Sequence, residues 1–264
     1  MTPLPMPAEV PAFDRPMGSA RRSDWLLVIP VINEGARLHR LLGRVRSSGL
    51  HERLDVCVVD GGSSDGSVAV ETLRDLGVHS LLVKTGAGKL SAQLRCAYAH
   101  ALEAGYAGVI TIDGNDKDDP SAIPAFVDAL ATGVDFVQGS RFVPGGVAEN
   151  TPLLRYLAIR GLHAPLLRIA SGFPWTDTTQ GFRGYSRRLL GHPGLSLFRE
   201  VFDSYELLAH VSARAPRLGL RCLELPTARR YPKGEVPTKI SALRGNARVL
   251  RILFAACVGA YDPR

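Results

Sequence analysis

Directly after the apolar run Val109-Ile110-Thr111-Ile112, the segment Asp113-Gly114-Asn115-Asp116-Lys117-Asp118-Asp119-Pro120 crowds four carboxylates into eight residues. Carboxylates this close repel one another unless a cation sits among them. A hard divalent ion with oxygen ligands is the natural partner, and Mg2+ commonly bridges protein carboxylate and substrate phosphate. Asp113, at the end of the apolar run, is the leading candidate ligand. Asp118 and Asp119 precede Ser121 and also suit the start of the next helix. A second loop, Asp60-Gly61-Gly62-Ser63-Ser64-Asp65-Gly66-Ser67, offers close backbone approach at its glycines, a helix cap at Asp65 or Ser67, and at Asp60 an acceptor for a base N–H. The plainer alternative is a strand-to-helix turn.

Gly86-Ala87-Gly88-Lys89 looks like a phosphate loop but fits neither known pattern. Leu90 stands where the Walker motif needs Ser or Thr, and Ser91 replaces the third glycine of the dinucleotide fingerprint. Lys89 is either a polyanion contact or an ordinary loop lysine. Arg141, Arg183 and the pair Arg229-Arg230 are candidates for phosphate or phospholipid, because a planar guanidinium suits multidentate recognition of phosphate. None of the 7 histidines sits in a metal or nucleophile motif.

These loops need elements to hold them. Buried-strand patterns occur at Leu26–Ile29, Val56–Val59, Leu81–Val83, Gly108–Ile112 and Val134–Gln138, with helical spacing between them: Leu38, Leu41, Leu42 and Val45; Val70, Leu73 and Leu76; Leu90, Leu94, Ala97 and Ala101; Ile123, Phe126, Val127 and Leu130. The alternation predicts an α/β fold with a mostly parallel central sheet and helices on both faces. In such sheets ligands bind beyond the carboxyl ends of the strands. Those ends carry Asn33-Glu34, Asp60 to Ser63, Gly86 to Lys89 and Asp113 to Asp116, so the polar residues collect on one edge. Further on, Pro152 to Ala170 reads as a helix kinked at Pro165, Glu206 to Ala213 as a helix and Leu220 to Leu225 as a strand. Ser241 to Ala260 reads as a C-terminal amphipathic helix, basic at Arg244, Arg248 and Arg251 and apolar at Leu243, Leu250, Leu253 and Phe254.

The chain has 264 residues, 45% of them hydrophobic, and a net charge of +7, which suits one domain with an anionic partner. Residues 1–23 carry five prolines and read as a flexible leader, residues 24–240 as the catalytic domain and 241–264 as the C-terminal helix and tail. The 4 cysteines form no Cys-x-x-Cys pair and read as reduced thiols. No signal-peptide core and no apolar run of membrane-spanning length is visible, so a cytoplasmic protein is expected, peripheral on the membrane if it works on lipid.

In order along the chain, these motifs resemble the family-2 glycosyltransferases, and within them the dolichyl- and polyprenyl-phosphate sugar synthases. The matching stretches are Ile29 to Glu34, Val58 to Gly66, Lys84 to Gly88, Asp113 to Pro120, Gly139 to Val143, Asp177 to Arg183 and Tyr205 to Leu207. The resemblance implies a GT-A fold and a nucleotide-sugar donor. It places Pro30, Ile32, Asn33, Glu34, Asp60, Gly62 and Ser63 around the nucleoside, and Asp113 at the head of a metal site for Mg2+ or Mn2+. Arg141, Arg183 and Arg230 then match the residues that hold an acceptor phosphate. Two departures stand out. Asn115 replaces the second Asp of the metal motif, so its carbonyl or Asp116 must complete the site. Lys117 stands where the synthases have a further oxygen ligand.

The expected reaction is an inverting displacement at the anomeric carbon. A polyprenyl-phosphate acceptor is already an anion and needs no base. A saccharide or small-molecule hydroxyl acceptor needs one, and Asp177 is the candidate. The alternative of another class is a catalytically silent GT-A domain that binds a nucleotide or a partner. Nucleic acid is not among the expected partners.

Overall fold

The computed structural model describes residues 8–232 and 244–263. Ten strands are described: β1 (Phe13–Met17), β2 (Trp25–Val31), β3 (Asp55–Asp60), β4 (Ser80–Lys84), β5 (Gly108–Thr111), β6 (Phe136–Ser140), β7 (Val147–Glu149), β8 (Arg183–Ser186), β9 (Cys222–Pro226) and β10 (Ala228–Arg230). The helices are α1 (Ala36–Ser47), α2 (Leu50–Arg53), α3 (Val70–Asp75), α4 (Leu90–Glu103), α5 (Ile123–Ala131), α6 (Leu153–Ala158), α7 (Ala164–Ser171), α8 (Arg187–Leu190), α9 (Glu206–Arg214) and α10 (Arg244–Cys257). Eight strands make one sheet in the order β1-β4-β3-β2-β5-β8-β6-β9, and β10 pairs with β7. The pairs among β4, β3, β2 and β5 are parallel, as is β6 with β9; β1 and β8 run antiparallel to their neighbours. The expected mostly parallel α/β sheet is present.

The period-two alternation of side chains splits each central strand between two cores. Leu26, Val28, Cys57, Val59 and Val109 face the core under α4 and α9. Leu27, Ile29, Val56, Val58 and Ile110 face the core under α1 and α5. This double burial is why the central strands read as continuous apolar runs. Helix α4 is buried nearly all round, because it is wedged between the sheet and α9.

Three features depart from expectation. Phe13–Met17, expected within a flexible leader, is an edge strand paired with β4, with Met17 in the core. Its three consecutive exposed residues, Asp14, Arg15 and Pro16, hid it from any apolar-run criterion. The expected helix over 152–170 is present as an unbroken helical run from Leu153 to Ser171, but its middle, Ile159–His163, is a π-turn, and Pro165 follows it in the first turn of α7. Helix α10 packs on α9 and α7 through Ile252, Leu253 and Ala256, while Leu250 and Phe254 face outward. Of the proposed apolar face, Leu253 is thus core, and Leu243 lies outside the described residues.

At the carboxyl edge, Gln93 of α4 donates from Nε2 to the carbonyls of Val31 and Val59, each at 2.8 Å. This buried amide ties the last turns of β2 and β3 together. Gly61 leaves it room, since a Cβ there would lie 3.0 Å from the Gln93 side chain. Replacing Gln93 by Leu strands the Val59 carbonyl without this donor. The expected loss is about 1–3 kcal/mol of stability, read from urea unfolding.

Candidate active site

The loops after β2, β3 and β5 lie side by side because their strands do. Val31 is in register with Asp60 and Val28 with Thr111, so Asp60 and Asp113 flank β2 on the same edge, about 10 Å apart across two strand spacings. A small recess there is lined by Pro30, Leu94, Thr111, Asp113 and Gly181.

The first two loops are stitched together. The Asn33 N–H donates to Ser63 Oγ at 2.9 Å, the Ser64 N–H to Asn33 Oδ1 at 2.8 Å and the Gly35 N–H to Asp65 Oδ2 at 2.9 Å. Asn33 and Gly62 hold positive φ of 50° and 98° to make the turns. Asp60 is buried and accepts from the N–H groups of Gly62 and Ser63 and from Ser63 Oγ at 2.6 Å. Its first role is to shape the turn. Ile32 is exposed, and Glu34 pairs with Arg37 at 3.1 Å. Lys89 stands exposed on the third loop, whose backbone is held by the Asp203 carbonyl.

The acidic segment is not an open set of metal ligands. Asp113 Oδ2 accepts from both Nη atoms of Arg229 at 3.2 Å. Gly181 admits the other oxygen, since a Cβ at 181 would lie 2.1 Å from Asp113 Oδ1. Asn115 turns its carbonyl to the Lys117 N–H at 3.2 Å. Asp116, expected as an alternative ligand, points away: Arg40 and Arg44 of α1 hold it at 3.2 Å each. Its positive φ of 58° aims it there. Asp118 is fully buried on Arg229. Burial pushes its carboxyl up to about 6, against the pull of Arg229. Asp119 caps the turn at Ser121 and pairs with Arg44 at 2.9 Å. Among the described residues no three His, Cys, Asp or Glu side chains converge so as to hold a metal ion. In this arrangement Asp113 faces Arg229 while Asp116 faces α1, so the two carboxylates point apart.

The arginines also sort differently from expectation. Arg141 is buried and grips Asp177 in a two-pronged ion pair, Nε to Oδ2 at 2.7 Å and Nη2 to Oδ1 at 3.1 Å. Arg183 is buried and spends its guanidinium on the carbonyls of Gln180, Leu208 and Thr178 at 2.8–3.0 Å. Arg230 points outward to Glu149 and Asp119 at 3.0 and 3.4 Å. Alternation along β10 turns its neighbour Arg229 inward instead. Asp177, expected as a base for a hydroxyl acceptor, also accepts from Thr179 and Gln180 and has no exposed surface. Burial pulls its carboxyl up, but the charge and hydrogen bonds of Arg141, with those of Thr179, outweigh burial and hold it below the ordinary carboxylate range. A carboxylate so paired is a poor proton acceptor.

Three cations gather on one ring that the motifs did not single out. Tyr231 is buried, with Lys117 Nζ 5.2 Å, Arg229 Cζ 5.7 Å and Arg155 Cζ 5.8 Å from its ring centroid. Arg155 also donates to its hydroxyl at 3.0 Å. No local pattern flagged Arg155 or Tyr231, because their partnership spans 76 residues.

With this geometry in hand, comparison shows what the chain is similar to. Residues 26–192 match the model of glycosyl transferase family 2. The undecaprenyl-phosphate mannosyltransferase of Micrococcus luteus is 32% identical over 76% of this chain and 81% of its own length. The polyprenol monophosphomannose synthase of Mycolicibacterium smegmatis is 28% identical over 76% and 75%. Among solved structures, glucosyl-3-phosphoglycerate synthase from Mycobacterium tuberculosis, in complex with Mn2+, uridine diphosphate and glucosyl-3-phosphoglycerate, superposes with a TM-score of 0.58 at 18% identity, covering 90% of this chain and 79% of that one. That likeness shows the GT-A-like fold.

If Asp177 is structural, Asp177→Ala leaves a buried Arg141 uncompensated and lowers stability by about 3–5 kcal/mol in denaturant unfolding. A stable, inactive variant would instead mark a base. His163 hydrogen-bonds Thr178 Oγ1 at 2.7 Å, and burial, aided by the charge of Arg183, pulls it down to about 4. The unfolded chain binds this proton first, so stability should fall as pH drops from about 6.5 to about 4. His163→Asn should reduce that slope by one proton's share, read from urea midpoints across the window, because His100 and His210, also pulled down to about 4 by burial, supply the rest.

Proposed function

The chain belongs to glycosyl transferase family 2, and from that premise we propose that it moves a sugar from a nucleoside-diphosphate sugar to a polyprenyl phosphate, with inversion at the anomeric carbon. The nucleoside lies against the stitched loops of Pro30 to Glu34 and Asp60 to Ser63, and the diphosphate extends toward Asp113 across β2. A phosphate oxygen of the acceptor forms the new bond to the anomeric carbon, and the bonding pair of the old one leaves with the nucleoside diphosphate. No proton has to be removed, which agrees with Asp177 being locked to Arg141. The two bacterial relatives are named for transfer to, or products of, this lipid class.

The carrying observation is the placement of α6. One side of this helix turns Arg155 to Tyr231 within the cation cluster. The rest is apolar and exposed: Leu153 at 72%, Leu154 at 77% and Leu157 at 56%. Ile169 on α7 and Phe254 and Val258 at the C-terminal end of α10 are exposed as well, and α7 packs on α10. Arg160, Arg168 and Arg251 are exposed among them. Apolar residues edged by arginines suit the interface of an anionic bilayer. A lipid whose phosphate sits at that interface reaches Arg155 on the inner side of α6 while its chain stays in the bilayer. No helix of the described residues is long and apolar enough to cross a membrane.

The test incubates purified protein with radiolabelled nucleoside-diphosphate hexoses and undecaprenyl phosphate in vesicles containing anionic lipid. Label should partition into organic solvent as an acid-labile lipid product. Leu153→Glu combined with Leu154→Glu should cut vesicle binding by about tenfold or more. Label moving only to water-soluble acceptors, with no binding to vesicles, would sink the assignment.

A further inference from the structure

The acidic segment places a lysine and an arginine where a divalent ion would be expected. The segment after β5 runs beside β10: the Arg230 N–H donates to the Lys117 carbonyl at 2.8 Å, the Asp119 N–H to the Ala228 carbonyl at 3.0 Å, and Asp118 bridges Arg229 through the backbone. This pairing brings Lys117 and Arg229 to the same ring, that of Tyr231. Both are buried, Lys117 at 7% exposure. Arg229 is bonded to Asp113 and Asp118. The charge count is instructive. Asp113 and Asp118 contribute two negative charges, and Lys117 with Arg229 contributes two positive ones. That is the balance two carboxylates reach with one divalent cation. Adding a divalent ion at Asp113 would set it against two fixed cations in a site sheltered from water. The donor set agrees: Asn115 gives its carbonyl to the Lys117 N–H, a protonated Lys117 cannot ligate a cation, and Asp116 is turned to α1.

We propose that Lys117 and Arg229 form a built-in dication that takes the place of a divalent metal in holding the donor's diphosphate. The proposal rests on the glycosyltransferase reading above and names the groups that receive its leaving group. As the bond from the anomeric carbon to the diphosphate breaks, the bonding pair goes to the diphosphate, which gains one negative charge. Lys117 and Arg229 offset that charge without a metal entering or leaving. The Tyr231 ring faces both cations, and Arg155 fixes that ring through its hydroxyl.

The test is calorimetric titration of the full chain with uridine, guanosine, adenosine, cytidine and thymidine diphosphates, in excess EDTA and again with MnCl2. The wild type should bind its nucleotide in EDTA, with less than about a twofold change on adding Mn2+. Lys117→Gln, checked for folding by circular dichroism, should weaken binding in EDTA by about tenfold or more, ~1.4 kcal/mol. Asn115→Asp with Lys117→Gln should regain affinity only when Mn2+ is present, a readout that a merely structural lysine would not produce. Wild-type binding that needs Mn2+ and vanishes in EDTA overturns the dication while leaving the glycosyltransferase reading intact. So does a folded Lys117→Gln that binds in EDTA as tightly as wild type. No nucleotide bound under any condition overturns the donor assignment and the dication together.

Discussion

Two carboxylates, Asp113 and Asp118, meet on one guanidinium, Arg229, and the chemistry of the edge is organised around that contact. A carboxylate as deeply buried as Asp118 is too costly to leave unpaired. The partner must come from elsewhere in the chain, and β10 supplies it. In turn β10 is held in register by backbone pairing with the segment after β5 and with β7. The ion pair therefore requires the loop, the small two-stranded sheet and Tyr231 to assemble together. Charge neutrality in a site sheltered from water is the constraint, and the architecture around Asp113 is its solution.

The sheet does a simpler job. Parallel strands deliver their carboxyl ends to one edge, and α4 locks two of them through a single amide, Gln93. The loops that follow β2 and β3 hold each other because the N–H groups of Asn33, Gly35 and Ser64 donate to Ser63, Asp65 and Asn33 across them, so their shape is set before any ligand arrives. Such preorganisation lowers the cost of ordering on binding. Residues that look like ligand contacts, Asp60 and Asn33 among them, are first of all the residues that build the turns.

The same division runs through the basic residues. Arg141 and Arg183 lie in motifs that resemble phosphate-binding ones, yet one neutralises Asp177 and the other ties the carbonyls of Thr178 and Gln180, before β8, to that of Leu208 in α9. The cations around the Tyr231 ring are Lys117, Arg155 and Arg229, of which Arg155 sits on a helix whose other side is greasy and open to solvent. The solved synthase with Mn2+ and uridine diphosphate shares this fold at 18% identity.

Local pattern alone was enough to determine the alternation of strands and helices, the edge on which polar loops gather, and the order of motifs that marks the family. Those features follow from short-range rules: side chains alternate along strands, helices repeat every few residues, and glycine and proline punctuate them. Local pattern missed Phe13–Met17, because an edge strand with three consecutive exposed residues offers no apolar run. It could not choose between Arg229 and Arg230, adjacent and chemically identical, because which one faces inward depends on how β10 lies against a loop 111 residues earlier in the chain. Nor could it tell that Asp116 would turn to α1 while Asp113 met Arg229. An ion pair forms between whichever charges the fold brings together and removes from water, and that is decided by packing across the whole chain.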